Sequence, residues 1–300
     1  MLQRDVFIKE ITKRLNVDKE IYFLSADFGA MALDELREKY PENFVHCGIS
    51  EQAMLDVATG LALDKKKVFV YAMAPFLSLR AIEQIKCGPA LMNLPISIIA
   101  TGIGLGYADA GPTHYSTEDL ACLRSISGNT IITPSDNPTV KLVVDNLLNK
   151  PEFAYIRLDR DALPDVHQDL SMEDYKKGYK IIGQATKDNV CLVSHGRMLH
   201  KCLELKNKHN NVFCLDLFKS KPISENLISI LGNCKKIVCV DEQMPAGNLA
   251  SMVFELFAKT SFNPVIKNIS LPEKYIFENG GREYLLDKFG LSLGDIEKNI

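Results

Sequence analysis

Residues 45–59 read VHCGISEQAMLDVAT, and this stretch decides the fold because an apolar run passes through a glycine into a helix. Ser50 stands where a helix N-cap is expected, and Glu51 follows it in the first turn. A serine hydroxyl and a carboxylate there can satisfy free backbone N–H groups and suit the helix dipole. The pattern predicts a buried strand, a turn and a helix, and an ordinary helix start would explain Glu51 equally well.

Apolar strand-like runs alternate with helix-like runs along the chain, which predicts an α/β protein with mostly parallel sheets covered by helices. In the first half the predicted strands are 22–25, 68–71, 96–100, 130–133 and 153–157, and the predicted helices are 4–15, 51–62, 77–92, 117–125 and 138–148. Further strands are predicted at 190–194, 212–217, 237–240 and 264–269. A polar run separates the two sets, so we expect a domain at 1–165, a linker at 166–180 and a domain at 181–300.

The composition excludes several classes of function. The 300 residues have a net charge of −3, so the chain as a whole offers no attraction for nucleic acid or anionic membrane. The longest apolar stretch, 91–108, contains Asn93, Pro95 and three glycines, which predicts buried strand and loop rather than a membrane span. Eight cysteines without a C-x-x-C pair, and an N-terminus without a signal peptide, favour a reduced, cytoplasmic protein.

Two motifs place chemistry-bearing side chains next to predicted strand ends. Phe76 opens FLSLRAIEQI at a predicted strand-to-helix turn, where an ordinary core phenylalanine would also fit. The glycine-rich loop that ends in GPTH presents His114 beyond a predicted strand, where α/β sheets bind ligands. The loop is not a dinucleotide fingerprint, because Tyr107 takes the place of the last glycine. His114 can act as an acid, a base or a hydrogen-bond donor there, or it can be a surface histidine.

Two arginines end another predicted strand in the run IRLDRDALP. Arg157 or Arg160 could bind a phosphate or carboxylate through two parallel hydrogen bonds. The alternatives are a solvated pair or salt bridges with Asp159 or Asp161.

In order and spacing, these motifs resemble the pyrimidine-binding and C-terminal domains of transketolase-like thiamine diphosphate enzymes. The resemblance covers nearly the whole chain and is carried by the motifs SADFG, VHCGISEQAM, FLSLRAIEQ, GPTH, LRSI followed by ITPSD, and PEKYIFENGGREYLLDKFGLS. It implies that 1–165 is the pyrimidine-binding domain and that 181–300 is the transketolase C-terminal domain.

The resemblance assigns cofactor contacts to three residues. Glu51 would meet a ring nitrogen of the cofactor's aminopyrimidine and share a proton with it. A carboxylate in an apolar pocket has the raised proton affinity that this sharing requires. Phe76 would stack on the pyrimidine ring, and Asp27 would lie near the cofactor.

The resemblance also assigns substrate contacts. His114 would exchange protons with hydroxyl or carbonyl groups of the substrate, with Asp109 close by, and Arg160 and Arg4 would contact a phosphate. Transketolases usually carry serine or threonine where Met31 stands, an acid where Ala110 stands, and often histidine where Gly102 stands. These departures put the usual sugar phosphate substrate in question.

No G-D-G motif occurs in the sequence, although the family binds the diphosphate through Mg²⁺ on such a motif. We therefore expect that this chain holds no metal itself and that a separate N-terminal transketolase subunit carries the G-D-G motif and the Mg²⁺. The expected assembly is a homodimer or a heterotetramer acting on a small sugar, with no nucleic acid or membrane partner.

The leading interpretation is the C-terminal subunit of a split transketolase that transfers a two-carbon ketol unit between sugars. The alternatives are decarboxylating acyl transfer, as in deoxyxylulose-phosphate synthase, and the beta subunit of a 2-oxoacid dehydrogenase. GPTH favours the first two. A binding protein without catalysis is a further alternative, since a fold alone does not fix a function.

Overall fold

The computed structural model describes residues 1–26, 30–258 and 260–300. It contains two compact units, one made of Met1–Ile103 with Cys122–Asp169 and the other of Gly104–Ala121 with Leu170–Ile300. Each unit is built on a mostly parallel sheet, which confirms the predicted fold class. The segment 104–121 belongs to the second unit although it lies inside the predicted first domain, and the domain boundaries stay a prediction.

The first unit is a parallel sheet with helices packed against it. Its strands are β1 Ile21–Ser25, β2 Phe44–His46, β3 Lys67–Met73, β4 Ile96–Thr101, β5 Thr130–Ile132 and β6 Ala154–Leu158. The helices up to residue 149 are α1 Gln3–Leu15, α2 Asp34–Lys39, α3 Glu51–Leu63, α4 Ile82–Ile85, α5 Asp119–Arg124 and α6 Asn137–Asn149. Within this unit the strands follow the order β5-β6-β4-β3-β1-β2, and each neighbouring pair is parallel.

The carboxyl ends of these strands meet at one edge of the sheet, because all of them run in the same direction. Helix α1 is oriented by this edge. The Gln3 side chain donates to the Pro134 carbonyl and accepts from the Asp159 N–H, both over 2.9 Å, just beyond β5 and β6. At the other end of α1, Arg14 donates to Asn149, which ends α6 ahead of β6. The start of α1 therefore lies at the carboxyl edge and its end at the opposite edge.

The turn between β2 and α3 is the one that the opening stretch predicts. Gly48 has a φ of 66°, a conformation that favours glycine. Ser50 is the N-cap residue of α3, but its hydroxyl donates to the Cys47 carbonyl and does not cap the helix. The prediction that this hydroxyl satisfies free N–H groups is therefore wrong. Apolar residues on one face of α3, among them Met54 and Leu55, are buried and hold the helix on the sheet.

The predicted helix 77–92 is broken into three pieces. The segments Phe76–Arg80 and Lys86–Ala90 are π-helical, and α4 lies between them. Pro89 explains the second π-helical turn, because proline donates no N–H and its ring collides with the carbonyl of an α-helical turn. The N–H of Leu91 accordingly reaches back five residues to the Lys86 carbonyl over 2.9 Å.

The second unit has a five-stranded sheet in the order β12-β11-β8-β9-β7 within the described residues, antiparallel only at β7–β9. The strands from residue 180 onwards are β7 Lys180–Ile182, β8 Val190–Ser194, β9 Val212–Asp216, β10 Lys219–Lys221, β11 Lys236–Val240 and β12 Ile266–Ile269. The helices are α7 Met172–Lys177, α8 Gly196–Lys208, α9 Leu227–Gly232, α10 Leu249–Phe257, α11 Arg282–Lys288 and α12 Leu293–Glu297. Across residues 1–26, 30–258 and 260–300, every helix is too short or too polar to cross a membrane.

The polar run predicted as a linker contains helix α7. Ser171 accepts a hydrogen bond from the Asp174 N–H, and the Asp174 carboxylate accepts one from the Ser171 N–H, which is a capping box. Tyr175 is buried, and Gly178 ends the helix with a φ of 82°. Reciprocal capping thus makes a helix of a segment with few apolar residues.

Candidate functional site

Glu51 is a buried carboxylate at the carboxyl edge of the first sheet. It is the first residue of α3 and follows β2 after a short turn. Its side chain is 3% exposed, and Oε2 accepts a hydrogen bond from Nη1 of Arg80 over 2.7 Å. Since a buried charge needs a charged or hydrogen-bonding partner, Arg80 stabilises the ionised form of Glu51.

Phe76 completes this group. It begins the π-helical segment that follows β3, and Arg80 ends the same segment. The guanidinium carbon of Arg80 lies 4.1 Å from the centre of the Phe76 ring. Glu51, Phe76 and Arg80 therefore form one cluster. Sequence motifs predict the first two residues but not Arg80, although a spacing of four residues in FLSLR places Phe76 and Arg80 on one face of a helical segment.

Two further predicted residues lie at the same edge of this sheet. Arg160 is exposed just beyond β6, and Arg4 lies in the first turn of α1. Nε of Arg4 donates to Oδ1 of Asp5 over 2.9 Å. Burial works against the charged form of Arg4, but its interactions with Tyr71 and Asp5 outweigh this and raise its pKa. The shared edge thus carries two positive charges.

Arg157 differs from Arg160, although both end the same predicted strand. Arg157 is 1% exposed and donates from Nη1 to the Thr133 hydroxyl over 2.9 Å. It is a core residue, so the alternative of a solvated arginine pair is wrong for Arg157.

His114 and Asp109 lie in the loop 104–121 of the second unit. Gly104 and Ser116 form an antiparallel bridge that closes this loop. His114 is partly buried, its N–H donates to the Gly111 carbonyl over 3.0 Å, and its Nδ1 lies 2.9 Å from the Thr113 hydroxyl oxygen. Asp109 is exposed. The predicted cofactor residue Asp27 lies outside the described residues.

A buried ion pair holds this loop within the second unit. Arg282 donates to both carboxylate oxygens of Glu242, over 2.9 and 2.6 Å, and Glu242 also accepts from the Leu105 N–H over 3.1 Å. A Cβ at Gly104 would come within 2.7 Å of the Glu242 carboxyl carbon. Sequence patterns do not predict this pair, because Glu242 follows Leu105 by 137 positions and no local motif links them.

Comparison with known proteins identifies the family that these motifs resemble. Residues 2–166 match the family model described as the transketolase pyrimidine-binding domain, and residues 179–296 match the transketolase C-terminal domain. The chain belongs to the transketolase family. This confirms the resemblance drawn from the sequence motifs, and the transketolase family is one that depends on thiamine diphosphate.

Transketolase relatives come in two lengths. One of the two subunits of apulose-4-phosphate transketolase from Phocaeicola vulgatus is 29% identical to this chain over 96% of the chain and 94% of the relative. Transketolase-like protein 1 from Mus musculus is 29% identical over 86% of the chain, which spans only 44% of that relative. Among solved structures, one described as a split gene transketolase in an inactive beta4 tetramer gives a TM-score of 0.84 and 25% identity, covering 99% of this chain and 95% of that one. The chain is accordingly a C-terminal transketolase-like subunit.

Proposed function

We propose that this chain is the pyrimidine-binding subunit of a split, thiamine diphosphate-dependent transketolase that transfers a two-carbon ketol unit between sugar or sugar phosphate substrates. The observation that carries the proposal is the buried Glu51 carboxylate beside the Phe76 ring at the carboxyl edge of a parallel sheet. Ligands of open α/β sheets bind at this edge.

The residues of this cluster fit an aminopyrimidine. Glu51 offers a buried acceptor for a ring nitrogen, and Phe76, which is partly exposed, offers an aromatic face for stacking. Glu51 would hold and share a proton at that nitrogen, and Asp27 is proposed to lie near the same ring. Thiamine diphosphate supplies the carbanion chemistry when it is bound.

The substrate contacts are proposed for four other residues. Arg160 and Arg4 are the cationic side chains at the edge of the first sheet, and a guanidinium binds phosphate through two parallel hydrogen bonds. His114 would move protons to and from substrate hydroxyl or carbonyl oxygens, and Asp109 would bind a substrate hydroxyl. Met31 is 84% exposed and offers no hydroxyl, so the pocket is expected to take an acidic substrate in a different position from other transketolases.

The transferase is proposed to need a second subunit. The sequence has no G-D-G motif, and a diphosphate is held through Mg²⁺ on oxygen ligands. The relative that this chain matches over nearly its whole length is itself named as a transketolase subunit, which supports a partner chain with the G-D-G motif and the Mg²⁺.

Reconstitution tests this proposal. The pure chain, supplied with thiamine diphosphate, Mg²⁺ and a panel of ketose phosphate donors, should show no turnover. Addition of an N-terminal transketolase subunit with a G-D-G motif, co-purified with the chain, should produce ketol transfer to an aldose acceptor. Turnover by the chain alone would refute the split arrangement. Release of CO₂ from a 2-oxoacid donor by the pair would favour the synthase-like alternative instead.

A further inference from the structure

Arg80 touches both of the groups that the proposed function assigns to the pyrimidine ring. Its Nη1 lies 2.7 Å from Oε2 of Glu51, and its guanidinium carbon lies 4.1 Å from the centre of the Phe76 ring. The π-helical segment Phe76–Arg80 brings the ring and the guanidinium together from positions four residues apart. Turns of this kind are rare and often occur at functional sites.

A guanidinium and an aminopyrimidine use the same two contacts. Both are flat, both stack on an aromatic face, and both can place a polarised N–H against a carboxylate oxygen. Arg80 therefore satisfies Glu51 and covers Phe76 in the way that the proposed ring would. A second flat group cannot take the same carboxylate oxygen and the same ring face while Arg80 stays there.

Burial shows on which side Arg80 lies. The Glu51 side chain is 3% exposed, whereas the Arg80 side chain is 38% exposed. The guanidinium thus lies between the carboxylate and solvent. Its ion pair also gives the buried carboxylate a charged partner when no ligand is present, which keeps the acceptor ionised and in place.

Resting on the proposed function, we propose that Arg80 occupies the pyrimidine subsite of the cofactor-free chain and leaves it when the pyrimidine ring binds. Arg80 is then a positioning residue for Glu51 and an internal competitor of the cofactor. The competition lowers the affinity for the ring, and the pairing preserves the site until the ring arrives.

Arginine-specific labelling tests the movement directly. Phenylglyoxal is applied to the full chain with and without millimolar thiamine, and the modified peptides are quantified by mass spectrometry. Thiamine should speed the modification of Arg80, because binding releases it from Glu51. Arg14, at the opposite edge of the sheet, should react at an unchanged rate. Slower or unchanged modification of Arg80, with thiamine binding shown by calorimetry, would overturn the inference.

Affinity provides a second measurement. Arg80→Met removes the charge and keeps much of the apolar stem, so thiamine should bind at least about tenfold more tightly, as expected when one charge-assisted hydrogen bond no longer competes. Arg14→Met is the matched control and should bind thiamine like the natural chain. Weaker or equal binding by Arg80→Met would contradict the competition.

The two proposals fail in different ways. If neither the natural chain nor Arg80→Met binds thiamine, the cofactor site itself is wrong, and this inference is wrong with it. If both bind but Arg80 is not released, only the competition is wrong.

Discussion

At the scale of single residues, Glu51 is the side chain on which the proposed chemistry depends most. Glu51→Gln keeps the shape and a hydrogen bond to Arg80 but cannot share a proton as an acid. We expect kcat of the reconstituted enzyme to fall by about 100- to 10,000-fold, the range of general acid–base catalysis. Steady-state kinetics with the partner subunit measures this, and circular dichroism checks the fold.

Glu35→Gln is the control for this substitution. Glu35 forms an exposed ion pair with Lys39 over 2.9 Å, so its loss also breaks an ion pair but at the surface. Turnover by Glu35→Gln should match that of the natural chain. If Glu51→Gln retains most of the rate, the carboxylate has no role in proton transfer.

Arg160 is the residue that tests substrate charge. Arg160→Ala should raise KM for a phosphorylated substrate by at least about tenfold, since hydrogen bonds to charged groups contribute roughly 1.5–3 kcal/mol each. KM for the unphosphorylated analogue should stay nearly unchanged. Arg14→Ala, at the opposite edge of the sheet, should change neither value. Equal losses for both substrates would show that Arg160 only supports the fold.

At the scale of elements, the loop 104–121 depends on how closely Gly104 approaches Glu242. Gly104→Ala and Gly111→Ala both put a side chain at positive φ, with values of 58° and 79°. Only Gly104 has a neighbour in the way, the Glu242 carboxyl group at 2.7 Å. We expect Gly104→Ala to destabilise the second unit by at least about 1 kcal/mol more than Gly111→Ala, the range of overpacking. Scanning calorimetry of the two variants measures this, and equal melting temperatures would show that Glu242 yields freely.

Helix α7 gives the chain a pH-dependent contribution to stability. Burial raises the pKa of Asp174, but hydrogen bonds from Ser171 and Lys180 outweigh it, and the pKa is lowered overall. A lowered carboxyl pKa adds stability above the unfolded pKa of about 4, and this stability is lost as the pH falls through the folded value. Asp174→Asn should therefore lower the unfolding free energy by about 1 kcal/mol at pH 7, the size of a helix cap.

The difference between Asp174→Asn and the natural chain should shrink as the pH falls below 4. Thermal melts from pH 7 to pH 3 follow it. Asp64→Asn changes a carboxylate that is 79% exposed, and it should leave the melting temperature unchanged at each pH. A constant difference across this range would contradict the assignment to Asp174.

Long elements could be predicted from the sequence, and short or interrupted ones could not. The strands β4 and β8 are fully buried apolar runs, and their bounds nearly match the prediction. Strand β7 has three residues, too few for a periodic pattern, and its antiparallel pairing with β9 is a tertiary contact. Within the site, Glu51 and Phe76 belong to recognisable motifs, whereas the contact of Arg80 with Glu51 depends on how two helical segments face each other across 29 positions.

At the scale of the whole molecule, the proposed site is shared between two kinds of chain. A shared site needs a lasting interface, and two-fold symmetry is the commonest way to build one. We expect two copies of this chain with two of the partner. Light scattering on the co-expressed pair should give a mass near twice the sum of the two chains. A fully active complex of one copy each would contradict this expectation. The structure described as an inactive beta4 tetramer concerns a related chain, and it supports inactivity without a partner.

The hold of Glu242 and Arg282 on the loop at Gly104 also bears on how such proteins can recombine. Gly104 lies in the sequence matched by the pyrimidine-binding domain, while Glu242 and Arg282 lie in the sequence matched by the C-terminal domain. A crossover between two related genes near residue 170 would take the glycine from one parent and the ion pair from the other. Chimeras from parents that differ at these three positions would misplace the strand of chain that presents His114. Inheritance of the three residues as a set is therefore the condition under which domain exchange preserves the loop.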